Sequence, residues 1–206
     1  GRYDNEGVAP ISHTRDTVGP MARTVADVAL LDAVITGDKV PTPASLKDVK
    51  LGVYRAYFFN NLDADTSSVM NAAPEKLTKA GAPTAEVTMP ELQQLNNAAS
   101  FPVALYEAYD DMRVYLHKHH TGKTVEELAG MIMSQDVKGT YNGLVVPRKL
   151  PTPDGLIDAA PVYKAAIEQA RPALIKHYAD TFAAYGIDAL IFPTTPHVAV
   201  PQGPDA

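Results

Sequence analysis

The stretch from Thr24 to Thr36, TVADVALLDAVIT, constrains the fold of this chain more than any other. Thr24 and Asp27 form a capping box, which is typical of a helix N-terminus, and Gly37 supplies the stop signal. Asp27 and Asp32 are the only charged residues of the predicted helix, and apolar residues fall on almost every side of it. Because a helix that is apolar all round is typical of a protein interior, we expect this helix to be buried in a larger body.

Two later segments read as strands that flank a helix. The pattern predicts a strand over residues 50–56, a helix over 69–80 and a strand over 84–89, and such a unit implies parallel pairing. A third predicted strand, residues 189–192, runs into a turn bounded by prolines. Three strands among many helices indicate an α/β fold. They are few for so much buried helix, so we expect partner strands from outside this chain.

The remaining pattern is mainly helical. Helical spacing extends over residues 92–120 with a break at 101–102, and further helices are predicted over 124–133 and 161–185. The segment 147–155, PRKLPTPDG, is rich in proline, which predicts a loop.

Composition narrows the classes of function. Among the 206 residues, 46% are hydrophobic and the net charge is −6, which argues against nucleic-acid and anionic-membrane partners because both need basic patches. The chain contains no cysteine, so disulfides, thiolate catalysis and zinc–thiolate sites are excluded. No apolar run approaches the roughly 18 residues of a membrane span, and no signal-peptide pattern is visible, so we expect a cytoplasmic protein.

Ser12, His13 and Asp16 invite comparison with a hydrolase triad. Triad members normally come from distant parts of a chain, and a Ser–His hydrogen bond needs side chains that face each other. Three members within five consecutive residues therefore favour a turn over a catalytic relay.

The sequence LHKHH offers a second candidate site. His117 and His120 share a face of the predicted helix, but no nearby carboxylate completes a metal site, so a solvated helix end is favoured and no metal is predicted. Tyr106, Tyr109 and Tyr115 are likewise more typical of helix packing than of a binding pocket.

The sequence FPTTP, residues 192–196, follows the end of the third predicted strand. Ligands in open α/β sheets bind beyond the C-terminal ends of the strands. Thr194 and Thr195 carry hydroxyls at this end, and the pattern is equally compatible with a substrate contact and with a purely structural turn.

The stretch GVAPISHTRDTVGPMARTVADVALLDAVITGD resembles the amidase signature family. The shared patterns are Gly-x-x-Pro-x-Ser, Asp-Thr-x-Gly-Pro and Arg-Thr-Val-x-Asp-x-Ala-x-Leu-Leu. The matching residues are Gly7, Pro10, Ser12, Asp16, Thr17, Gly19, Pro20, Arg23, Thr24, Val25, Asp27, Ala29 and Leu31. LKDVKLGVYR and DALIFPTTP look like later segments of the family in the same order. The sequence SHTRDT is more similar to the mandelamide and indoleacetamide hydrolase branch than to the A-type subunits of glutamyl-tRNA amidotransferases.

The resemblance implies an amidase signature fold, with a mixed or parallel sheet covered by helices. It also implies hydrolysis of a non-peptide carboxylic amide to an acid and ammonia, without metal or cofactor, by a Ser–cis-Ser–Lys triad. No serine or lysine here stands in the family's catalytic context, so the triad is expected upstream of Gly1. Residues 1–206 are interpreted as a portion of one larger amidase domain that lacks its catalytic segment and extreme C-terminus, and as inactive alone.

On this interpretation, the chain contributes substrate contacts and structural anchors. The candidates for pocket lining are Thr194, Thr195, His197 and Tyr141. The residues assigned to structure are Ser12, Asp16, Gly19 and Arg23. Asp16 is expected to cap amides of its own turn. Arg23 precedes a helix N-terminus, where the helix dipole does not favour a cation, so we expect it to have a carboxylate or carbonyl partner.

Two alternatives to an ordinary amidase remain open. One is a glutamine-dependent amidotransferase A-type subunit, which needs partner subunits. The other is a non-catalytic module that completes an amidase in trans. The expected partners are a small-molecule amide and the remainder of the parent amidase. A homodimer is left open, and neither nucleic acid nor a membrane is expected.

Overall fold

A computed structural model describes residues 2–199, which form two compact units. Among these residues, one unit is drawn from 2–42 and 96–172, and the other from 43–95 and 173–199. In chain order, the helices and strands are α1 (Val25–Thr36), β1 (Leu51–Val53), α2 (Arg55–Phe58), α3 (Ala64–Lys79), β2 (Thr84–Glu86), α4 (Leu92–Ala99), α5 (Phe101–Lys118), α6 (Val125–Met131), α7 (Gln135–Thr140), β3 (Lys149–Thr152), β4 (Gly155–Asp158), α8 (Ala159–Ala165), α9 (Arg171–Tyr185) and β5 (Ala189–Leu190). The predicted α/β class is confirmed, whereas assignment of the whole chain to one larger domain stays a prediction. Among the described helices, none has the length and apolar character to cross a bilayer.

Helix α1 begins and ends where the sequence predicts. The Thr24 hydroxyl accepts a hydrogen bond from the Asp27 amide at 3.1 Å, and Gly37 ends the helix in the left-handed region with φ 75°. Within the described chain, Ala33 is the one buried residue of the helix. The large apolar side chains that it exposes are Val25, Leu30, Leu31, Val34 and Ile35. Residues 2–199 do not cover this apolar surface, so burial of the helix in a larger body stays a prediction.

The second unit contains a three-stranded parallel sheet with the order β2–β1–β5. Leu51 pairs with Thr84 on one side and with Ala189 on the other, so the predicted parallel pairing is confirmed. Gly52 occupies the middle of β1, where an added Cβ would lie 2.6 Å from the Cδ1 atom of Ile187. A larger residue at this position would therefore displace the side chains packed over the central strand.

The proline-rich segment that the sequence predicts as a loop forms a β-hairpin instead. Strands β3 and β4 pair antiparallel, and the Thr152–Gly155 pair closes a two-residue turn at Pro153 and Asp154. Proline cannot donate a backbone hydrogen bond, but Pro151 lies in a two-stranded sheet, where each strand has a free edge that needs no donor. Proline content alone therefore gave the wrong prediction here.

The helices follow the predicted pattern with shifted bounds. The predicted break within residues 92–120 is observed between α4 and α5. Helix α3 begins earlier than predicted, because the Asp63 carboxylate caps it by accepting a hydrogen bond from the Thr66 amide at 2.7 Å. The helix predicted over 161–185 contains a π-helical turn, Ala166–Ala170, between α8 and α9.

Helix α5 forms the centre of the first unit. Two clusters of buried apolar side chains join its own residues to those of neighbouring segments. The first consists of Leu105, Ala108, Val145, Leu150 and Ala159, and the second of Met112, Leu116 and Val125. The helix is thereby fixed against its neighbours and offers a rigid support for polar side chains on its other faces.

Candidate functional site

The turn from Ser12 to Asp16 is held on helix α5 by a buried carboxylate. Glu107 is 3% exposed, and its Oε2 atom accepts a hydrogen bond from the Ser12 hydroxyl at 2.6 Å. The Thr14 amide and hydroxyl donate to the same oxygen at 3.2 and 2.9 Å, and the Tyr163 hydroxyl donates to Oε1 at 2.9 Å. These donors satisfy a charge that would otherwise be costly to bury.

Opposing effects set the protonation of Glu107. Burial disfavours its charged form, whereas the hydrogen bonds from Ser12, Thr14 and Tyr163 favour it, and the net result is a pKa of Glu107 below its ordinary value. Burial and the hydrogen bond to Glu107 raise the pKa of Tyr163 to about 12. At neutral pH, Glu107 is therefore an ionised acceptor and Tyr163 a neutral donor.

His13 faces a second carboxylate, one helical turn further along α5. Its amide donates to Asp111 Oδ2 at 2.6 Å, and its Nδ1 atom lies 2.9 Å from Asp111 Oδ1. The Ser12 hydroxyl donates to Glu107 and not to His13, so these residues form no Ser–His–Asp relay. The Asp16 amide donates to the Ser12 carbonyl at 2.7 Å, which confirms the interpretation of this segment as a turn.

The structure explains the other motif residues to different degrees. Asp16 Oδ2 accepts hydrogen bonds from the amides of Ile11 and Ser12 at 2.7 and 2.9 Å, as the sequence predicts. Gly19 is exposed, and nothing in the structure explains why a glycine stands there, since an added Cβ would contact nothing within 4 Å. Arg23 is exposed and has no carboxylate or carbonyl partner among residues 2–199, so its anchoring role stays a prediction.

Three of the four predicted substrate contacts line one cavity of the second unit. Thr194, Thr195 and His197 border a cavity of about 370 Å³, opposite the N-terminal half of α3. The residues that α3 contributes are Asp65, Thr66, Val69 and Met70. The segment follows β5, so the cavity lies beyond the C-terminal end of a parallel strand, where α/β sheets bind ligands. Its mixture of hydroxyls with apolar side chains suits a small molecule that has a polar and an apolar end.

Asp63, at the start of helix α3, holds the cavity-lining segment by hydrogen bonds. Its Oδ2 atom accepts a hydrogen bond from the Val198 amide at 2.6 Å, and its own amide donates to the Pro196 carbonyl at 3.0 Å. The hydrogen bonds from the Thr66 and Val198 amides lower the pKa of Asp63. Sequence reasoning missed this residue. An aspartate before a helix is a recognisable cap signal, but the contact with Val198 leaves no local signal in the sequence.

Tyr141, the fourth predicted contact, belongs to the first unit. It is half-buried and packs against both apolar clusters on α5, and burial raises its pKa. These contacts describe a residue of the hydrophobic core. They give no support to a binding role, which stays a prediction.

The described residues hold no Ser–Lys pair of the kind that hydrolyses amides. Within residues 2–199, no lysine amino group hydrogen-bonds to a serine hydroxyl. Lysines reach carboxylates or carbonyls instead, as Lys50 does with the Tyr185 carbonyl at 2.6 Å and Lys118 with Glu6 at 2.7 Å. The described part of the chain therefore holds no serine that a lysine could activate as a nucleophile.

One known protein family matches the chain from end to end. The family model described as Amidase matches residues 1–206. Mandelamide hydrolase from Pseudomonas putida is 35% identical over 207 residues, which cover 100% of this chain and 41% of that protein. Indoleacetamide hydrolase from Rhizobium radiobacter is 35% identical over 208 residues, which cover 100% of this chain and 43% of that protein. The A-type subunit of glutamyl-tRNA(Gln) amidotransferase from Koribacter versatilis is 26% identical, over 100% of this chain and 46% of that protein.

Solved structures show the same fold. A crystal structure of an amidase matches with a TM-score of 0.72 at 24% identity, covering 98% of this chain and 41% of that one. The peptide amidase from Stenotrophomonas maltophilia matches with a TM-score of 0.58 at 22% identity, covering 96% of this chain and 44% of that one. The chain therefore spans less than half the length of the relatives and structures that it matches.

Proposed function

This chain belongs to the amidase signature family, and we propose that it is the central-to-C-terminal portion of an enzyme that hydrolyses a small carboxylic amide to an acid and ammonia. The observation that carries the proposal is the 35% identity, over the whole chain, with two amide hydrolases. The names of these relatives state mandelamide and indoleacetamide as their amides. We propose a small amide of this kind as the substrate.

The exposed surface of α1 supports the view that this chain works as part of a larger domain. Val25 is 85% exposed and Val34 is 72% exposed, on a helix whose sequence is suited to burial. The matched relatives are more than twice as long as the matched region, so they contain additional chain that could cover such a surface. We propose that the remainder of the amidase packs on α1.

The chemistry is then shared between this chain and the remainder of the enzyme. The Ser–cis-Ser–Lys triad is proposed to lie in the remainder. Its serine hydroxyl attacks the amide carbonyl, ammonia leaves, and water releases the acid from the acyl-enzyme. This chain binds the substrate in the cavity at Thr194, Thr195 and His197, while Val69 and Met70 contact its apolar group. The proposal includes no metal or cofactor in the hydrolysis.

Ammonia release tests the proposal that the catalytic triad lies in the remainder of the enzyme and not in this chain. The 206-residue chain and a longer protein that contains it are each incubated with mandelamide and with indoleacetamide, after the mass of each sample has been verified. We expect ammonia from the longer protein and none above background from the 206-residue chain. Enzymatic ammonia release by a verified 206-residue sample would overturn the assignment of the triad to the remainder.

Substitution of the cavity threonines tests the binding role. In the longer protein, Thr194→Val and Thr195→Val are each expected to raise KM, because the hydroxyl that contacts the polar end of the substrate is lost. Thr78→Val is the matched control, since the Thr78 hydroxyl pairs with Thr84 and does not line the cavity. If the control and the cavity variants have the same KM as the wild type, the cavity is not the substrate site.

Glutamine distinguishes the hydrolase from the amidotransferase alternative. An A-type subunit releases ammonia from glutamine and depends on partner subunits, whereas the proposed hydrolase acts on the small amides without them. The lower identity to the amidotransferase relative favours the hydrolase. A module that completes an amidase in trans would show activity only when a second chain is added. The cytoplasmic location and a homodimer stay predictions.

A further inference from the structure

We propose that His13, Glu107 and Asp111 form a binding site for a divalent cation of the zinc class. The site is separate from the proposed substrate cavity and does not depend on amidase activity. Its ligands come from two places in the first unit, since His13 lies in the N-terminal turn and both carboxylates lie on α5. A bound ion would clamp the turn to the helix.

The three potential ligand atoms converge at suitable distances. His13 Nδ1 lies 2.9 Å from Asp111 Oδ1 and 3.6 Å from Glu107 Oε2, and all three ligand atoms lie within 4.8 Å of one another. With zinc–ligand bonds of about 2.1 Å at angles between 90° and 110°, neighbouring ligand atoms are roughly 3.0–3.4 Å apart. To receive an ion, Glu107 Oε2 moves closer to His13 Nδ1 and gives up the Thr14 hydroxyl, which can then donate to Oε1 alone.

The charges of the cluster favour a cation. Glu107 is 3% exposed and the Asp111 side chain is 15% exposed. Among residues 2–199, neither carboxylate forms an ion pair with a lysine or arginine, and the nearest basic side chain in contact is the imidazole of His13. The Arg171 guanidinium approaches this region but donates to the Thr14 carbonyl at 3.0 Å. Hydrogen bonds already stabilise the Glu107 charge, so the carboxylate that gains most from a cation is Asp111, whose partners among residues 2–199 are the amide and ring of His13.

The surrounding hydrogen bonds orient the proposed ligands. Ser12 and Thr14 hold the Glu107 carboxylate, and the His13 amide holds Asp111 Oδ2, which leaves Asp111 Oδ1 directed at the imidazole. Carboxylates that bind metals are usually fixed by such outer contacts. The His13 side chain is 63% exposed, so the open side of the site faces solvent and has room for water ligands.

The type of donor selects the class of ion. One imidazole nitrogen with two carboxylate oxygens suits zinc and similar first-row divalent ions. Magnesium and calcium prefer sites made of oxygen alone. The competing explanation is that hydrogen bonds alone hold the turn, with the His13 ring donating to Asp111. The two explanations differ in whether the protein binds zinc at this place.

Isothermal titration of the chelator-treated protein with ZnCl2 tests the proposal. We expect one saturable site, and we expect Asp111→Asn and His13→Gln each to weaken it by about 10-fold or more, because each removes one ligand and loss of an outer contact alone costs about 10- to 100-fold. Asp111→Asn keeps an acceptor for the His13 amide and is therefore expected to fold, which circular dichroism checks. Zinc should also raise the melting temperature of the wild type more than that of either variant.

His117→Gln is the matched control, since His117 is an exposed histidine on α5 outside the cluster. It should leave zinc affinity unchanged. The proposal is overturned if the wild type shows no zinc binding in the micromolar range, or if folded Asp111→Asn and His13→Gln bind zinc as the wild type does. A loss of binding in His117→Gln alone would place the ion elsewhere. Equal affinity for zinc and MgCl2 would also contradict the imidazole ligand.

Discussion

The Ser12–Asp16 turn and the 193–199 segment are each held on a helix by acidic side chains, chiefly Glu107 for the turn and Asp63 for the segment, in different surroundings. Glu107 is 3% exposed and accepts hydrogen bonds from side chains of distant segments. Asp63 caps α3, is partly exposed and accepts from two backbone amides. Water can replace the contacts of Asp63 if they are lost, but it has little access to Glu107. The first turn is therefore an integral part of its unit, and the second segment can open locally.

The difference agrees with the roles proposed for the two regions. A structural anchor should be coupled to the core around it. We therefore expect loss of the Glu107 carboxylate to unfold the residues that surround it. The wall of a binding cavity can move for a ligand if its hydrogen bonds break without unfolding of the unit. We expect this of the hydrogen bonds that Asp63 makes with the 193–199 segment. The two regions should therefore respond differently to substitution and to acid.

Glu107→Gln should give the largest effect. The amide has one acceptor oxygen in place of two, so donors from Ser12, Thr14 and Tyr163 compete for it, and its own NH2 group meets other donors. We expect a loss of about 2–4 kcal/mol in the free energy of unfolding, measured with urea. Glu168→Gln makes the same chemical change at an exposed helical position and should change stability little. If Glu107→Gln and Glu168→Gln are equally stable, the buried carboxylate of Glu107 is not an anchor of its unit.

Gly52→Ala should have an intermediate effect on the second unit. The new Cβ would lie 2.6 Å from Ile187 Cδ1 and 3.0 Å from Leu190 Cδ2, so these side chains must move within a packed core. Overpacking of this kind costs about 1–3 kcal/mol, which urea unfolding would detect. Gly130→Ala is the control, because its Cβ would meet nothing within 4 Å on helix α6. If Gly52→Ala is as stable as its control, the centre of the second unit is not tightly packed. Tight packing around an anchor would then be a property of the first unit alone.

Protonation of Asp63 by acid should have the smallest effect, at the segment that Asp63 holds. The pKa of Asp63 is lowered in the folded state, so its contribution is complete above the ordinary aspartate pKa and is lost as pH falls through the lowered value. The amide resonance of Val198, followed by NMR, should shift over that acidic range while the β1 resonances remain in place. Asp63→Asn should abolish the dependence on pH. A Val198 shift that persists in Asp63→Asn would assign the titration to another group.

Local signals in the sequence predicted local structure well. The caps of α1 at Thr24 and Gly37 lie beside the helix that they bound, so neighbouring residues suffice to define it. The parallel strands and the break between α4 and α5 follow equally from short patterns. The hairpin of β3 and β4 was missed, because pairing with the second strand outweighed the preference of proline for loops.

The anchors could not be read from the sequence, because their partners are far apart along the chain. The hydrogen bond from Ser12 to Glu107 joins residues 95 positions apart, and that from Val198 to Asp63 joins residues 135 positions apart. Nothing near Glu107 in the sequence distinguishes it from an exposed helical glutamate. The family pattern marked Ser12 and Asp16 as significant, but only the folded chain shows the carboxylate that holds the turn.

The exposed side of α1 has a consequence for the fate of this chain in a cell. Apolar helices that face water are what chaperones bind and what quality-control proteases recognise. If residues 1–206 were released by proteolysis, Val25, Val34 and Ile35 would mark the product for capture or degradation. The same side chains that we propose to join the two portions of the enzyme would thus also limit the lifetime of an unjoined one.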